Sequence, residues 1–212
     1  MTVGIFGGSF DPIHEGHVNL AKYVLDHTDL DEVWLMVSPL NPLKPQGYVA
    51  SDEQRLEMAR LAVEGIPGVR VSDFEFHLPI PSYTYKTLTE LKKAYPEIDF
   101  RLIIGGDNWA NFEKWKNPDE ILNEFGVIVY PRPGESLILS SENGQRTTDN
   151  GQRTTENVTL LNAAPQMPIS STEIRNLLQS PQADNGQRTT ENVPHLNPKV
   201  SNYIHSQHLY TP

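Results

Sequence analysis

The sequence predicts an α/β fold, an open and mostly parallel sheet with helices on both faces, and three observations predict it. Short apolar runs alternate with longer amphipathic ones through the first two thirds of the chain. A glycine pair, Gly7-Gly8, directly follows the first apolar run. The chain has 212 residues, enough to bury one substantial core, so a single domain over 1–212 is expected.

The elements follow in order. Val3–Phe6 is short and apolar, a strand; Val18–His27 mixes apolar and polar residues over a helical length. Glu32–Val37 is again a strand, and Asp52–Glu64 a helix rich in helix formers. Val69–Phe74 reads as a strand, Thr84–Tyr95 as a helix, Phe100–Ile104 as a strand, Pro118–Glu124 as a helix and Gly126–Tyr130 as a strand. Strands separated by helices in this way need crossover connections, and crossovers make parallel sheets. Leu160-Leu161 reads as an edge or late strand. Ser170, followed three residues later by Glu173, forms a capping-box pattern, so a helix starts near Ser170 or Ser171. Lys199–Leu209, with Val200, Tyr203 and Ile204 on one face, reads as a C-terminal helix packed on the body. The sum is a Rossmann-like sheet with a small C-terminal helical part.

Two stretches interrupt this pattern. Pro39, Pro42, Pro45 and Gly47 make the segment 40–48 a loop of restricted shape just beyond a strand end, where open α/β sheets place ligands. The ten residues Asp149–Val158 recur identically as Asp184–Val193, with a near copy over Glu142–Asp149. These units are polar, unevenly spaced and too short to carry a core-facing layer, and their Asn-Gly steps favour turns. Residues 142–158 and 184–193 are therefore expected to be inserted surface loops, and Arg146, Arg153 and Arg188 are left out of the candidate site.

Composition narrows the function. The formal charge of −10 argues against a broad surface for nucleic acid or anionic membrane, and no nucleic-acid or membrane partner is expected. The absence of cysteine removes disulfides, thiolate metal ligands and cysteine nucleophiles. No run of 18 apolar residues occurs, and the soluble cytoplasm is the expected location.

The chemistry concentrates at Gly7–His17. Glycines after a strand let a ligand approach the backbone closely, and His14 and His17, three apart at a helix start, bring two imidazoles near free backbone amides. Such a constellation suits a phosphate whose oxygens gain charge during transfer. Taken singly, the glycines are an ordinary turn, and the histidines are capping or surface residues. A zinc site needs a third protein ligand that no nearby spacing supplies. The segment lacks the Gly-Lys-Ser/Thr ending of a P-loop and the G-x-G-x-x-G dinucleotide pattern.

Gly8–His17 resembles the G-x-F-x-P-x-H-x-G-H signature of the cytidylyltransferase-like nucleotidyltransferase superfamily, and Ile169–Arg175 resembles its second signature, I-S-S-T-x-I-R. Within it the chain is most similar to bacterial nicotinate mononucleotide adenylyltransferases. Marks of that similarity are Pro39–Lys44, Pro81–Leu88, Gly105–Asn108, Trp115, Tyr130–Gly134 and the ending Val200–Tyr210. The likeness covers nearly all of Thr2–Tyr210 outside the repeats. It departs at Leu43, where family members often carry histidine, and where the repeats expand the stretch near the second motif.

The resemblance implies transfer of the adenylyl group of ATP to nicotinate mononucleotide, giving deamido-NAD and pyrophosphate, with Mg2+ arriving on ATP rather than held by dedicated protein ligands. It implies His14, His17 and Arg175 as catalytic. It implies Gly8, Ser9, Phe10, Gly105, Asp107, Ile169, Ser170 and Ser171 as further ATP contacts, and Lys44, Tyr83, Thr84, Trp115 and Arg132 as contacts of the mononucleotide. Trp115 is the first choice for stacking on the pyridine ring and Trp109 the second. Nicotinamide mononucleotide, phosphopantetheine and a phosphorylated alcohol are the alternative acceptors, and a nucleotide-binding regulator without catalysis is the alternative class.

Overall fold

The computed structural model describes residues 1–39, 49–132, 146–147, 153–155, 157–166, 169–179 and 193–210. Its parallel strands are β1 (Thr2–Gly8), β2 (Glu32–Val37), β3 (Val69–Ser72), β4 (Asp99–Gly105), β5 (Val127–Tyr130) and β8 (Val158–Leu160). The short strands β6 (Arg146–Thr147) and β7 (Arg153–Thr155) complete one sheet in the order β3-β2-β1-β4-β5-β8-β7-β6. The helices are α1 (Glu15–His27), α2 (Asp52–Val63), α3 (Thr84–Ala94), α4 (Gly106–Trp109), α5 (Pro118–Glu124), α6 (Ser171–Gln179) and α7 (Pro198–Ser206). Among the described residues no helix is long and apolar enough to cross a membrane.

Alternation along the strands sorts the core into two layers. Val33, Leu35 and Val37 of β2, with Phe6 and Ile103, pack under α1, α2, α6 and α7; Trp34, Met36, Val3, Ile5, Leu102 and Ile104 pack under α3 and α5. A sheet buried on both faces explains why these strands are continuous apolar runs. The helix starts are chemically specified. Ser51 accepts from Gln54 N–H at 3.2 Å while the Gln54 side chain accepts from Ser51 N–H at 2.9 Å. Ser170 and Glu173 form the same reciprocal pair at 3.2 and 2.7 Å, as their spacing predicts.

The strand order reverses between β1 and β4, because β1 leads outward through β2 to β3 and β4 leads the opposite way to β5. A crevice opens at the carboxyl ends of two strands whose following segments diverge, and ligands of open α/β sheets bind there.

Several element boundaries differ from the sequence reading. The third strand stops at Ser72, and Phe74–His77 forms a 3-10 turn instead. Helix α1 begins at Glu15, three residues before Val18, because His14 takes the N-cap position. Helix α7 closes at Ser206, and Leu209 and Tyr210 fold back into the core. The late strand runs Val158–Leu160 and lies inside the sheet rather than at its edge, since β7 pairs with it antiparallel. That partner comes from the first polar repeat. A segment expected to be a surface loop contributes two short strands, because its Thr residues suit an edge ladder that needs no apolar face. The second repeat, 184–193, lies outside the described residues except for Val193.

Candidate active site

The turn after β1 is shaped by Phe10, whose φ of +48° is rare for a bulky residue and whose side chain is almost wholly buried. Its ring folds back over Gly8, where an added Cβ would meet Phe10 carbons at 2.9 to 3.2 Å. The same ring meets His17 edge-on, with centroids 5.1 Å apart. The residue that bends the loop therefore also supports the imidazole.

His14 and His17 sit with ring centroids 3.8 Å apart at the start of α1. The His14 backbone N–H donates to Nδ1 of His17 at 3.2 Å, which leaves Nε2 of His17 to carry its proton. Burial, followed by the charges of Arg132 and His195, pushes His14 down from 6.5 to about 4. Burial, then His14 and Arg132, holds His17 well below its ordinary value. Both rings are thus neutral hydrogen-bonding groups at pH 7, beside a permanent cation on Arg132.

The two sequence motifs meet at this point. The Ser171 hydroxyl donates to the Pro12 carbonyl at 2.9 Å, and Arg175 donates through Nη1 to the Asp11 carbonyl and through Nη2 to Thr172 Oγ1 at 3.0 Å. The cleft they border has a volume of about 580 Å³, within the range of small-molecule sites. Its wall includes Gly8, Ser9, Phe10, His14, His17, Tyr83, Thr84, Gly105, Trp115, Arg132, Ser170 and Ser171.

Four sequence candidates stand outside that wall. Arg175 does not line this cleft; its guanidinium is part-exposed and held by Asp11 and Thr172. Asp107 is at the rim, where it accepts from Arg132 Nε at 3.4 Å. Ile169 packs against the core beneath α6, and Trp109 stacks on Phe112 with centroids 5.2 Å apart. Lys44 lies outside the described residues. Gly105 explains how the Asp107–Arg132 pair closes: a Cβ there would meet Asp107 Oδ1 at 2.4 Å and Arg132 Nε at 2.9 Å.

Two contributors escaped the sequence reading, and a third, Tyr130, enters it only as a mark of family similarity. Arg55 of α2 is fully buried and donates to the carbonyls of Ser9 at 2.6 Å and Ser38 at 2.8 Å, tying the loops after β1 and β2 together. Glu75, on the 3-10 turn, lines the cleft and accepts from the Thr87 hydroxyl at 2.8 Å; burial raises it, while the hydroxyls of Thr87 and Ser38 oppose that rise. Tyr130 forms the buried floor between Phe6, with centroids 5.9 Å apart, and Arg132. Helix periodicity puts Arg55 on the face of Met58, Ala59 and Ala62, a signal that its charge masks. The turn carrying Glu75 was expected to follow a longer strand.

The reversal of strand order, the paired neutral imidazoles, the adjacent arginine and the serine-capped α6 define an α/β nucleotide-binding protein whose cleft is built for phosphates. The cytidylyltransferase-like family model matches residues 5–177. A probable nicotinate-nucleotide adenylyltransferase of Bacteroides thetaiotaomicron is 47% identical over 84% of this chain and 82% of its own length. A relative of the same description from Cytophaga hutchinsonii is 43% identical over 84% of this chain and 86% of its own length. The chain belongs to the cytidylyltransferase-like family and, within it, to the nicotinate-nucleotide adenylyltransferases. The fold also matches the Plasmodium falciparum nicotinic acid mononucleotide adenylyltransferase complexed with NaAD, with a TM-score of 0.71, 19% identity and coverage of 99% of this chain and 97% of that one.

Proposed function

We propose that the protein transfers the adenylyl group of ATP to the 5′-phosphate of nicotinate mononucleotide, forming nicotinate adenine dinucleotide and releasing pyrophosphate. One observation carries this reading: the His14–His17 pair and the Ser170–Ser171 helix start line one cleft, in a chain of the nicotinate-nucleotide adenylyltransferase family.

An oxygen of the mononucleotide phosphate attacks the α-phosphorus of ATP, and the bond from that phosphorus to the β-phosphate oxygen breaks as pyrophosphate leaves. The nucleophile is already anionic near neutral pH, so the protein has no strong base to supply. Its work is alignment and stabilisation of displaced charge. In this reading the Nε2–H of His17 donates to an α-phosphate oxygen, and His14 supports the same phosphate from beside it. Arg175 and the start of α6 take the leaving β- and γ-phosphates, for which a planar guanidinium is suited. Asp107 and Gly105 border the ribose of ATP. The acceptor lies on the other side, with its ring on Trp115, its carboxylate at Tyr83–Thr84, and Lys44 and Arg132 toward its phosphate. The described residues present no group of three His, Asp or Glu side chains that could hold a metal; magnesium in this reading accompanies the triphosphate and neutralises its charge. With ATP as donor, the reading places the enzyme in the cytoplasm. The polar repeats are passengers in it, and deletion of residues 184–193 is expected to leave turnover unchanged.

The test is pyrophosphate release from MgATP with nicotinate mononucleotide, nicotinamide mononucleotide or phosphopantetheine as acceptor. The expected result is the highest kcat/KM with nicotinate mononucleotide. Equal or greater efficiency with the amide would overturn the choice of acceptor.

A further inference from the structure

The buried carboxylate of Asp11 has no part in the reaction as derived above, yet it gathers three hydrogen bonds beside the cleft. Its side chain is 3% exposed, and a carboxylate so placed needs its lone pairs filled. Oδ2 accepts from the Val49 N–H at 3.1 Å, and Oδ1 accepts from the Ala50 N–H at 3.2 Å. Oδ1 also accepts from the Tyr210 hydroxyl at 2.6 Å. Arg175 Nη1 lies 3.8 Å from Oδ2 and donates to the carbonyl of the same residue. One acidic residue therefore holds Arg175 by both its backbone and its side chain, and Tyr210 holds that acidic residue from the far end of the chain.

Tyr210 is placed there at a cost. Its φ of +59° is a left-handed conformation unusual for an aromatic residue, and the side chain is 2% exposed. The bend follows α7 directly, where Leu209 N–H donates to the Ile204 carbonyl at 3.0 Å and turns the chain inward. Burial and the adjacent Asp11 charge push the phenol far above its ordinary value, so it remains a donor at every working pH.

We propose that Tyr210 is a positioning residue for the ATP-phosphate half of the cleft, acting through the Asp11 carboxylate on Arg175. The inference rests on the proposed assignment of Arg175 to the triphosphate. Without the phenol hydroxyl, Oδ1 loses its shortest partner, and the carboxylate gains by turning toward the guanidinium. Arg175 then shifts relative to Thr172 and the start of α6. Among the described residues, Tyr83 and Trp115 of the acceptor side share no bond with this chain of contacts, and the Val49 and Ala50 N–H bonds to Asp11, which follow the loop of Lys44, do not involve the phenol.

The experiment is calorimetric titration of the full chain with an ATP analogue carrying a methylene bridge between the α- and β-phosphorus, and separately with nicotinate mononucleotide. The proteins are wild type, Tyr210→Phe, Arg175→Lys and the double variant. Tyr210→Phe keeps the ring and its packing, and it is expected to bind the analogue about tenfold more weakly with mononucleotide affinity unchanged. The double variant is expected to bind the analogue no more weakly than the worse single variant, since both changes break one chain of contacts. Unchanged analogue affinity in Tyr210→Phe, equal loss of both ligands, or losses that multiply in the double variant would each overturn the proposal, as would a wild type that does not bind the analogue. Should Tyr210→Phe fail to fold, Asp11→Asn, which removes the charge facing Arg175, must weaken binding of the analogue, and unchanged analogue affinity in that variant overturns the proposal. Wild-type protein that binds the analogue yet releases no pyrophosphate from MgATP and nicotinate mononucleotide refutes the proposed reaction, while the affinity split still decides the role of Tyr210.

Discussion

The backbone N–H of His14 donates to Nδ1 of His17 at 3.2 Å, so the proton of a neutral His17 ring sits on Nε2. An N-cap residue thereby sets the tautomer of the residue three positions on. It turns a ring that can accept or donate into a donor facing the cleft.

Replacing His17 with Ala removes a donor aimed at charge that develops in the transition state, and turnover is expected to fall about a hundredfold to a thousandfold, roughly 2.7 to 4 kcal/mol. Pyrophosphate release measures the loss, and thermal melting is expected to change little. A melting point that collapses with activity would make His17 a structural residue instead.

The histidines also set an acid limit. His14 titrates near 4 in the folded chain and near 6.5 when unfolded, so between those values the unfolded chain binds the extra proton and stability falls as pH falls. The contribution from His14 is on the order of 3 kcal/mol, fully present above 6.5 and lost toward pH 4. Denaturant melts across this window are expected to show the slope, and His14→Gln is expected to flatten it.

Trp115 lines the cleft, whereas Trp109 stacks on Phe112 beside it. Trp115→Ala is expected to raise the KM for mononucleotide about tenfold with the KM for ATP unchanged, in keeping with the loss of one aromatic stacking surface. Trp109→Ala is expected to lower the melting point with smaller kinetic effect. Steady-state kinetics with each substrate varied in turn separates the two; a reversed pattern exchanges their roles.

Gly105→Ala introduces a Cβ against Asp107 Oδ1 and Arg132 Nε, the ends of two side chains that can move aside. The pair at the cleft rim is expected to open at small cost to stability and a clear cost in kcat/KM for ATP. Equal losses of melting temperature and activity would place the strain in the backbone instead.

Much of this site was legible in the sequence because it is built from local signals. The Gly7–His17 turn, the Ser170–Glu173 capping box and the strand–helix alternation each depend on neighbours a few residues apart. What stayed hidden depends on distant partners. Arg55 shares a helix face with Met58, Ala59 and Ala62, but the partners that let a charge be buried there, the carbonyls of Ser9 and Ser38, are far off in the sequence. Tyr210 enters the sequence reading only as part of a family-like ending, and only the left-handed turn after α7 carries it to Asp11. The repeat misled in the opposite direction: its polarity fits a loop, but polarity does not prevent Arg153–Thr155 from pairing with an open edge at β8. Arg175 does not line the cleft described, and its engagement by Asp11 and Thr172 depends on a partner far off in the sequence.

In the proposed reaction the crevice between β1 and β4 brings the α-phosphate of ATP and the phosphate of the mononucleotide together at His17. A crystal structure of the full chain with nicotinate mononucleotide and an unreactive ATP analogue tests it most directly. The account predicts an α-phosphate oxygen within hydrogen-bonding distance of His17 Nε2 and a pyridine ring stacked on Trp115. Phosphates bound away from His17, or a ring bound away from Trp115, would contradict it.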